Sequence, residues 1–292
     1  MARRLRTEAS TALPSRRSPF VGLILPDFTN PFFGNVAAAA IGELRRSGHL
    51  AIAVCSEENA ARERALVREL AALGTQGLLI APVGPDYEHL QALQSEDFPF
   101  VLLDRVIDEL GCDWVAVENL MAACQLCETL LSHGAQRIGF IGGQPQISTR
   151  RQRLEGYRAA LRRQRIPFAK ELVFLGDSSE GTGQRGVAQF LELEDPPDAI
   201  FCSNNKIFAG CLDRLAQAPR VPWEHMPVAC FDEVPYAAHL GRPTVVIAQP
   251  EAEIGRKAAA LLLERSRRAP GSRTSRPYEQ MLLEVEQKTY GF

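Results

Sequence analysis

The chain has 292 residues, of which 46% are hydrophobic and 23% are charged, and its formal net charge at pH 7 is −2. This composition is typical of a globular protein with sizeable cores and argues against a disordered chain. The charge offers no overall attraction for nucleic acid, and no apolar run approaches the roughly 20 residues that a transmembrane helix needs. No apolar run with a cleavage site follows the N-terminal arginines, so the sequence predicts no signal peptide.

Short apolar strands alternate with amphipathic helices, starting with a strand at 20–25 and a helix near 32–47. We predict later strands at 50–54, 77–81, 99–103, 114–117, 137–141, 171–175, 198–202, 227–231 and 244–248, and a last strand in QMLLEVEQ. Strands that are apolar throughout and separated by helices are typical of a parallel sheet covered on both faces. Because so many strands exceed one comfortable open sheet, the sequence predicts an α/β fold with two Rossmann-like subdomains.

The first strand-to-helix turn carries two adjacent aromatic residues, Phe32 and Phe33. Asn30 is a favourable N-cap and Pro31 suits the first helical position, so the pair falls in the first turn of the helix. This turn lies at the carboxyl end of a strand, where open α/β sheets bind ligands. Position alone leaves open whether the two rings contact a ligand or only pack in the core.

The seven cysteines are an odd number, and most lie in apolar contexts, which is typical of reduced thiols in a cytosolic protein. Cys124 and Cys127 form a Cys-x-x-Cys, but they lie in a helical run with no second pair at zinc spacing. Helix packing is therefore favoured over a metal or redox role, and we predict no cofactor.

Motifs of the common enzyme classes are absent from the sequence. No Gly-x-Gly-x-x-Gly follows a strand, and Walker A, Gly-x-Ser-x-Gly and His-Glu-x-x-His sequences are missing. The five histidines are dispersed, and no nucleophile is paired with a base. The sequence therefore does not predict an enzyme.

A series of blocks resembles the effector domain of LacI-type transcriptional regulators, in the order found in that family. The blocks are VGLILPDFTNPFF, GTQGLLIAP, FVLLDR, VAVEN, LLSHGAQRIGFIGG, STRRQRLEGYRAAL, DAIFCSNNKIFAG, VACFDE and TVVIAQPEAEIGRKAAALLLE, within residues 18–267. The resemblance implies the fold of periplasmic sugar-binding proteins, in which two subdomains joined by a three-segment hinge enclose a ligand. It also implies a homodimer, whose interface we expect near residues 34–56.

The same resemblance divides the chain into subdomains. We expect an N-terminal subdomain at 19–136 plus 249–268 and a C-terminal subdomain at 137–248 plus 269–292, with hinge crossings near 134–137, 232–235 and 247–250. Residues 1–18 resemble the end of the helix that joins a DNA-binding headpiece to this core, and we expect them to be disordered in this chain. By that resemblance Leu5 would insert into the minor groove while Arg3 and Arg4 contact DNA, although the headpiece itself is absent from the sequence.

Matching the blocks to the family implies an effector site between the subdomains. Its expected residues are Asp27, Asn30, Phe33, Asp104, Thr149, Arg153, Asn204, Asp232 and Gln249. Carboxylates, amides and an arginine can bind vicinal hydroxyls, and an aromatic ring can pack on the apolar face of a sugar. Without the family, capping of the turns that follow their strands is the favoured role of Asp104 and Asp232.

One position departs from the family, because Ser178 stands where many members carry an aromatic platform. The site could be more polar than in those members, or Phe28 or Phe32 could cover it. The resemblance implies a cytoplasmic regulator that binds a sugar, sugar acid or similar polyol and contacts operator DNA only through its headpiece. The alternatives are a periplasmic sugar-binding protein of a transporter and a diverged sugar-active enzyme.

Overall fold

The computed structural model describes residues 18–218, 225–267 and 277–292. The predicted DNA-contacting segment, with Leu5, Arg3 and Arg4, lies outside the described residues. None of the described helices combines the length and hydropathy that are needed to cross a bilayer.

Strands and helices alternate along the chain, as the apolar pattern predicts. The first part forms β1 (Phe20–Leu25), α1 (Pro31–Arg46), β2 (Leu50–Cys55), α2 (Ala60–Ala72), β3 (Leu78–Ile80), α3 (Glu88–Ser95), β4 (Phe100–Leu103) and β5 (Asp113–Val117). The second part forms α4 (Asn119–Ser132), β6 (Ile138–Gly143), α5 (Ser148–Arg163), β7 (Val173–Gly176), α6 (Glu180–Leu191), β8 (Ala199–Cys202), α7 (Asn205–Ala216), β9 (Val228–Phe231) and β10 (Thr244–Ala248). The chain then adds α8 (Glu251–Ser266), β11 (Gln280–Leu283) and β12 (Glu286–Tyr290).

These strands build two six-stranded sheets, which confirms the predicted pair of Rossmann-like subdomains. The first sheet has the order β11-β5-β4-β3-β1-β2, and all its strands are parallel. The second has the order β12-β10-β9-β8-β6-β7, and only its edge strand β12 is antiparallel to its neighbour. The central strands are buried on both faces because helices cover each side of the sheets.

The chain crosses between the subdomains at positions that differ in part from those predicted. Helix α4 packs against α5, β9 and β10, so the first crossing lies at 117–119 rather than at 134–137. The segment 232–235 joins two strands of one sheet and is not a crossing, whereas the predicted segment at 247–250 is one. The third crossing lies at 283–286, because β11 pairs with β5 in the first sheet and β12 with β10 in the second.

The predicted subdomain boundaries need correction for the same reason. Residues of α4 were expected in the N-terminal subdomain and belong to the second one, and β11 was expected in the C-terminal subdomain and belongs to the first. An apolar helix pattern shows that a face is buried but not which sheet buries it.

Small residues allow α1 to pack closely against α8. Ala37 and Ala40 of α1 are buried, and Gly255 of α8 lies so near that an added Cβ would be 2.3 Å from the Val36 carbonyl oxygen. The small-residue run in α1 therefore serves packing within the chain, while Ile41 on the same helix stays 38% exposed.

Candidate functional site

The turn after β1 forms one wall of a cleft between the two subdomains. Asn30 caps α1 with its side-chain oxygen, which accepts a hydrogen bond from the Phe32 backbone amide at 2.9 Å. This cap fixes Phe32 and Phe33, whose buried rings meet edge to face with centroids 5.0 Å apart. Both rings line the cleft, as does the carboxylate of Asp27.

Asp104 lies directly after β4 in a left-handed backbone conformation, with φ of 63°. Its side chain is buried, and its Oδ1 atom has no hydrogen-bond partner among the described residues. Burial raises the pKa of this carboxyl, although the nearby charges of Arg153 and Arg105 act in the opposite direction. A buried acceptor that faces a cleft without a partner is suited to accept a hydrogen bond from a ligand.

A second acidic residue of the first subdomain, Glu58, is held between two arginines. The Arg105 guanidinium binds both carboxylate oxygens of Glu58, at 2.6 and 3.1 Å. Arg150, from α5 across the cleft, approaches the same carboxylate at 2.9 Å. Burial alone would raise the pKa of Glu58, but the attraction of Arg105 and Arg150 lowers it below its ordinary value.

The second subdomain contributes Arg153, a buried arginine on α5. Its guanidinium donates to the Asn119 side-chain oxygen at 2.9 Å and to the Ser203 carbonyl at 2.8 Å. It also stacks on the Phe231 ring, with its central carbon 3.8 Å from the ring centroid. These contacts fix the orientation of Arg153 beside the cleft, because a planar guanidinium loses freedom with each bond it makes.

Asp232 follows β9 in the second sheet and is also in the left-handed region, with φ of 132°. Gln249 donates to one oxygen at 2.6 Å, and the Asn205 backbone amide donates to the other at 3.2 Å. Burial raises the pKa of Asp232 to about 6, even though Arg153 and these two hydrogen bonds favour its charged form. Neighbouring Asn204 caps α7 by accepting from the Ile207 amide at 2.7 Å.

Direct contacts join the two subdomains across the cleft. Lys206 of α7 reaches the Asp27 carboxylate and the Thr29 hydroxyl, each at 2.8 Å. The side-chain amide of Asn205 donates to the side-chain oxygen of Asn30 at 3.0 Å. On the other side, the Val106 backbone amide donates to the hydroxyl of Ser148 at 3.0 Å. The structure therefore has a closed cleft.

All nine residues expected at the effector site lie in the lining of this cleft. They are Asp27, Asn30, Phe33, Asp104, Thr149, Arg153, Asn204, Asp232 and Gln249. The first four come from the first subdomain, and the next four come from the second. Gln249 lies at a crossing between them. The empty space of the cleft is about 470 Å³, including the part that opens to solvent.

Six further lining residues were not among those expected to bind ligand: Phe32, Glu58, Arg105, Arg150, Ser178 and Ser203. The Phe32 ring both packs on Phe33 and lines the cleft, while Phe28 stays 46% exposed. Arg150 is followed by Arg151, whose side chain is 47% exposed, yet the side chain of Arg150 is only 15% exposed. Arg105 could have been expected in the lining from the sequence, because it directly follows Asp104 at the end of a strand.

The arrangement provides hydrogen-bonding groups from both subdomains. Within the described ranges, no cluster of three or more histidine, cysteine or acidic side chains could hold a metal ion. The buried Cys127 and Cys230 are poor nucleophiles, because burial raises the pKa of each thiol well above its ordinary value. The cleft can orient a small polar molecule through donors and acceptors from both subdomains and aromatic rings from the first.

The sequence is similar to a known family and to several transcriptional regulators. Residues 18–278 match the family described as periplasmic binding proteins and sugar binding domain of LacI family. The HTH-type transcriptional repressor CytR of Escherichia coli K12 is 30% identical over 83% of this chain and 71% of its own. A probable HTH-type transcriptional regulator, EndR of Paenibacillus polymyxa, is 29% identical over 88% of this chain and 76% of its own.

Solved structures share the fold over almost the whole chain. A putative ribose operon repressor from Burkholderia thailandensis has a TM-score of 0.83 and 29% identity, and the match covers 94% of this chain and 100% of that one. The Cra regulator of Pseudomonas putida, solved with fructose 1-phosphate, has a TM-score of 0.85 and 24% identity over 94% of this chain and 100% of that one. With the family match spanning most of the chain and two sheets enclosing a polar cleft, this protein belongs to the LacI family of transcriptional regulators.

Proposed function

We propose that this chain senses a small-molecule effector, a sugar, sugar acid or similar polyol, and thereby controls operator binding by a cytoplasmic regulator. The observation that carries the proposal is the set of nine polar and aromatic residues, from both subdomains, that line one closed cleft. The family match supports it as well, because the described family includes sugar-binding domains.

The chemistry of the lining is suited to a ligand with several hydroxyl groups. Asp104 and Asp232 offer carboxylate oxygens, and Gln249 and Asn204 offer amides. Each ligand hydroxyl can donate to one such group and accept from another. Phe33 provides an apolar face against which a sugar ring can pack. Buried polar groups discriminate against analogues without matching hydroxyls, because these leave a partner unsatisfied.

The proposed signal is a change in the population of the closed cleft. A ligand that contacts Asp104 on one side and Arg153 on the other binds the closed form better than an open one. The chain crosses at 117–119, 248–251 and 283–286, and these short segments can absorb the relative rotation of the subdomains. Closure would then reposition DNA-binding parts of the regulator and change operator affinity.

The regulator is proposed to act as a homodimer. Strand β2 is an edge strand of the first sheet and carries Leu50, which is 55% exposed; α1, which contacts β2, carries Ile41, which is 38% exposed. An exposed edge with apolar side chains favours association with a second copy. Sedimentation at micromolar concentration is expected to give a dimer, and a pure monomer would contradict this part of the proposal.

The experiment that tests effector binding is a thermal-shift screen with monosaccharides, sugar acids and polyols, followed by calorimetric titration of the compounds that stabilise. Saturating ligand at about 100 times its Kd adds roughly 2.7 kcal/mol to the free energy of unfolding. We expect at least one compound to bind with one site per chain. If it binds Arg153→Ala as tightly as wild type, the cleft is not the binding site.

A further inference from the structure

The three arginines that line the cleft are already engaged by the protein itself. Arg153 is bound to Asn119 and Ser203, and Arg105 makes a two-pronged ion pair with Glu58. Arg150 is paired with the same Glu58 at 2.9 Å. Arginine forks are the usual protein groups that bind phosphates and carboxylates. In this cleft, the carboxylate of Glu58 occupies the Arg105–Arg150 pair, and neutral partners hold Arg153.

The charges of the cleft balance. The lining contains four acidic residues, Asp27, Glu58, Asp104 and Asp232, and three arginines. Lys206 adds a fourth cation through its contact with Asp27. Arg105 and Arg150 are paired with Glu58 and Lys206 with Asp27, so an anionic ligand group near these cations would face the repulsion of a carboxylate that is already in place.

The unpartnered atoms of the cleft also favour a ligand that donates hydrogen bonds. Among the described lining residues, the buried side-chain atoms without a partner are Asp104 Oδ1, Gln249 Oε1 and Arg105 Nε. Two of these three are acceptors. Neutral hydroxyl groups can donate to both, whereas an ionised carboxylate or the dianion of a phosphate ester has no proton to donate.

Glu58 is the residue on which this balance depends. Its backbone is in the left-handed region, with φ of 53°, and its amide donates to the Pro26 carbonyl at 3.1 Å, which holds the side chain at the edge of the cleft. Its carboxylate lies between Arg105 of one subdomain and Arg150 of the other, at the position where an anionic ligand group would bind both.

We propose that Glu58 reserves the cleft for uncharged, hydroxyl-rich ligands by occupying the arginine pair that would otherwise bind a phosphate or carboxylate. The inference rests on the proposed function and narrows its effector class to a neutral sugar or polyol. Glu58 acts as a specificity-determining residue, because its carboxylate takes the place that a negatively charged ligand group would occupy between the two arginines.

Inorganic phosphate is the probe that tests this without an identified effector. The thermal midpoint of the purified chain is measured with increasing sodium phosphate against sodium chloride of equal ionic strength, for wild type and Glu58→Gln. We expect no specific shift in wild type. In Glu58→Gln we expect a saturable stabilisation, with apparent phosphate affinity raised roughly tenfold or more, because two charge-assisted contacts become available.

The matched control is Asp108→Asn, which removes the same charge from another pair across the cleft. Asp108 meets Arg151 at 3.4 Å, both side chains are largely exposed, and neither lines the cleft. We expect this variant to respond to phosphate as wild type does. An equal response in both variants would show a general charge effect and overturn the proposal, as would a Glu58→Gln variant that behaves as wild type.

Wild type alone gives a second way to contradict the inference, should Glu58→Gln fail to fold. Saturable stabilisation of wild type by phosphate, or binding of fructose 1-phosphate in preference to fructose, would show that the arginine pair is open to anions. Failure of the proposed function looks different. In that case no neutral compound binds in the cleft, whatever phosphate does to Glu58→Gln.

Discussion

The carboxylates of Asp104 and Asp232 occupy equivalent places in the two subdomains but have different surroundings. Each follows a central strand, is buried and has a positive φ, and burial raises the pKa of each. Asp232 is fixed by two hydrogen bonds, from Gln249 and the Asn205 amide, whereas one oxygen of Asp104 has no partner in the described part of the chain. The difference suggests that Asp232 organises the cleft and Asp104 is left to bind the ligand.

Loss of Arg153 should affect both acids and have the largest effect. Its charge attracts both carboxylates, so Arg153→Ala leaves two buried acids without their shared cation. We expect effector affinity to fall by roughly 100-fold or more and the free energy of unfolding by about 3–5 kcal/mol. Calorimetric titration and urea unfolding measure the two effects.

Arg151→Ala is the matched control for that variant, since it lies two residues away on the same helix but its side chain is 47% exposed. We expect a stability change within about 0.5 kcal/mol and unchanged effector affinity. If both variants lost effector affinity and stability to a similar degree, the general positive charge of α5 would explain the effect, and the buried contacts of Arg153 would not.

Amide substitutions sharpen the comparison between the two acids. Asp104→Asn should weaken effector binding roughly tenfold with a smaller change in stability, because the Oδ1 atom of Asp104 has no hydrogen-bond partner within the described residues. Asp232→Asn should also lower the free energy of unfolding, by about 1–3 kcal/mol at pH 7, because one of two donors then meets an amide NH₂. Equal stability losses in both variants would contradict the assigned roles.

The pH dependence of stability should carry a signature of Asp232. The pKa of Asp232 in the folded chain is about 6, above the ordinary value of about 3.9 for an aspartate, so between these pH values the folded state holds a proton that the unfolded state has lost. Stability therefore falls as the pH rises from about 4 to about 6, by an amount on the order of 3 kcal/mol from this group. Glu58 has the opposite effect on the pH dependence of stability. Its pKa is lowered in the folded chain, so the stability that its carboxylate contributes is lost as the pH falls.

Urea unfolding of wild type and Asp232→Asn at several pH values isolates this contribution. Relative to the variant, wild type should lose stability across the window between about pH 4 and 6 and change little above it. A difference that is constant with pH would show that the Asp232 carboxyl titrates near its unfolded value.

The contacts at the cleft rim should have the smallest effect. Lys206 and Asp27 are partly exposed, at 23% and 24% of their side chains, so their ion pair is screened by solvent. Lys206→Ala should weaken effector binding only about two- to fivefold, by disfavouring the closed form. A loss as large as that of Arg153→Ala would place Lys206 in the binding site itself.

The two subdomains and the strand ends that face the cleft could be predicted from sequence, because parallel strands are continuously apolar and their carboxyl ends meet. The crossing at 117–119 could not, since α4 has the same amphipathic pattern whichever sheet it covers. Glu58 and Arg150 were missed for a related reason. In a stretch of many charges, sequence alone does not distinguish a solvated side chain from one that pairs across a cleft.

Small-angle scattering with and without saturating effector tests most directly whether ligand binding closes the cleft. We expect the effector to reduce the radius of gyration towards that of the closed structure, and Arg153→Ala to show no such change at the same ligand concentration. An unchanged scattering curve, while calorimetry shows the wild-type site to be saturated, would contradict closure as the signal.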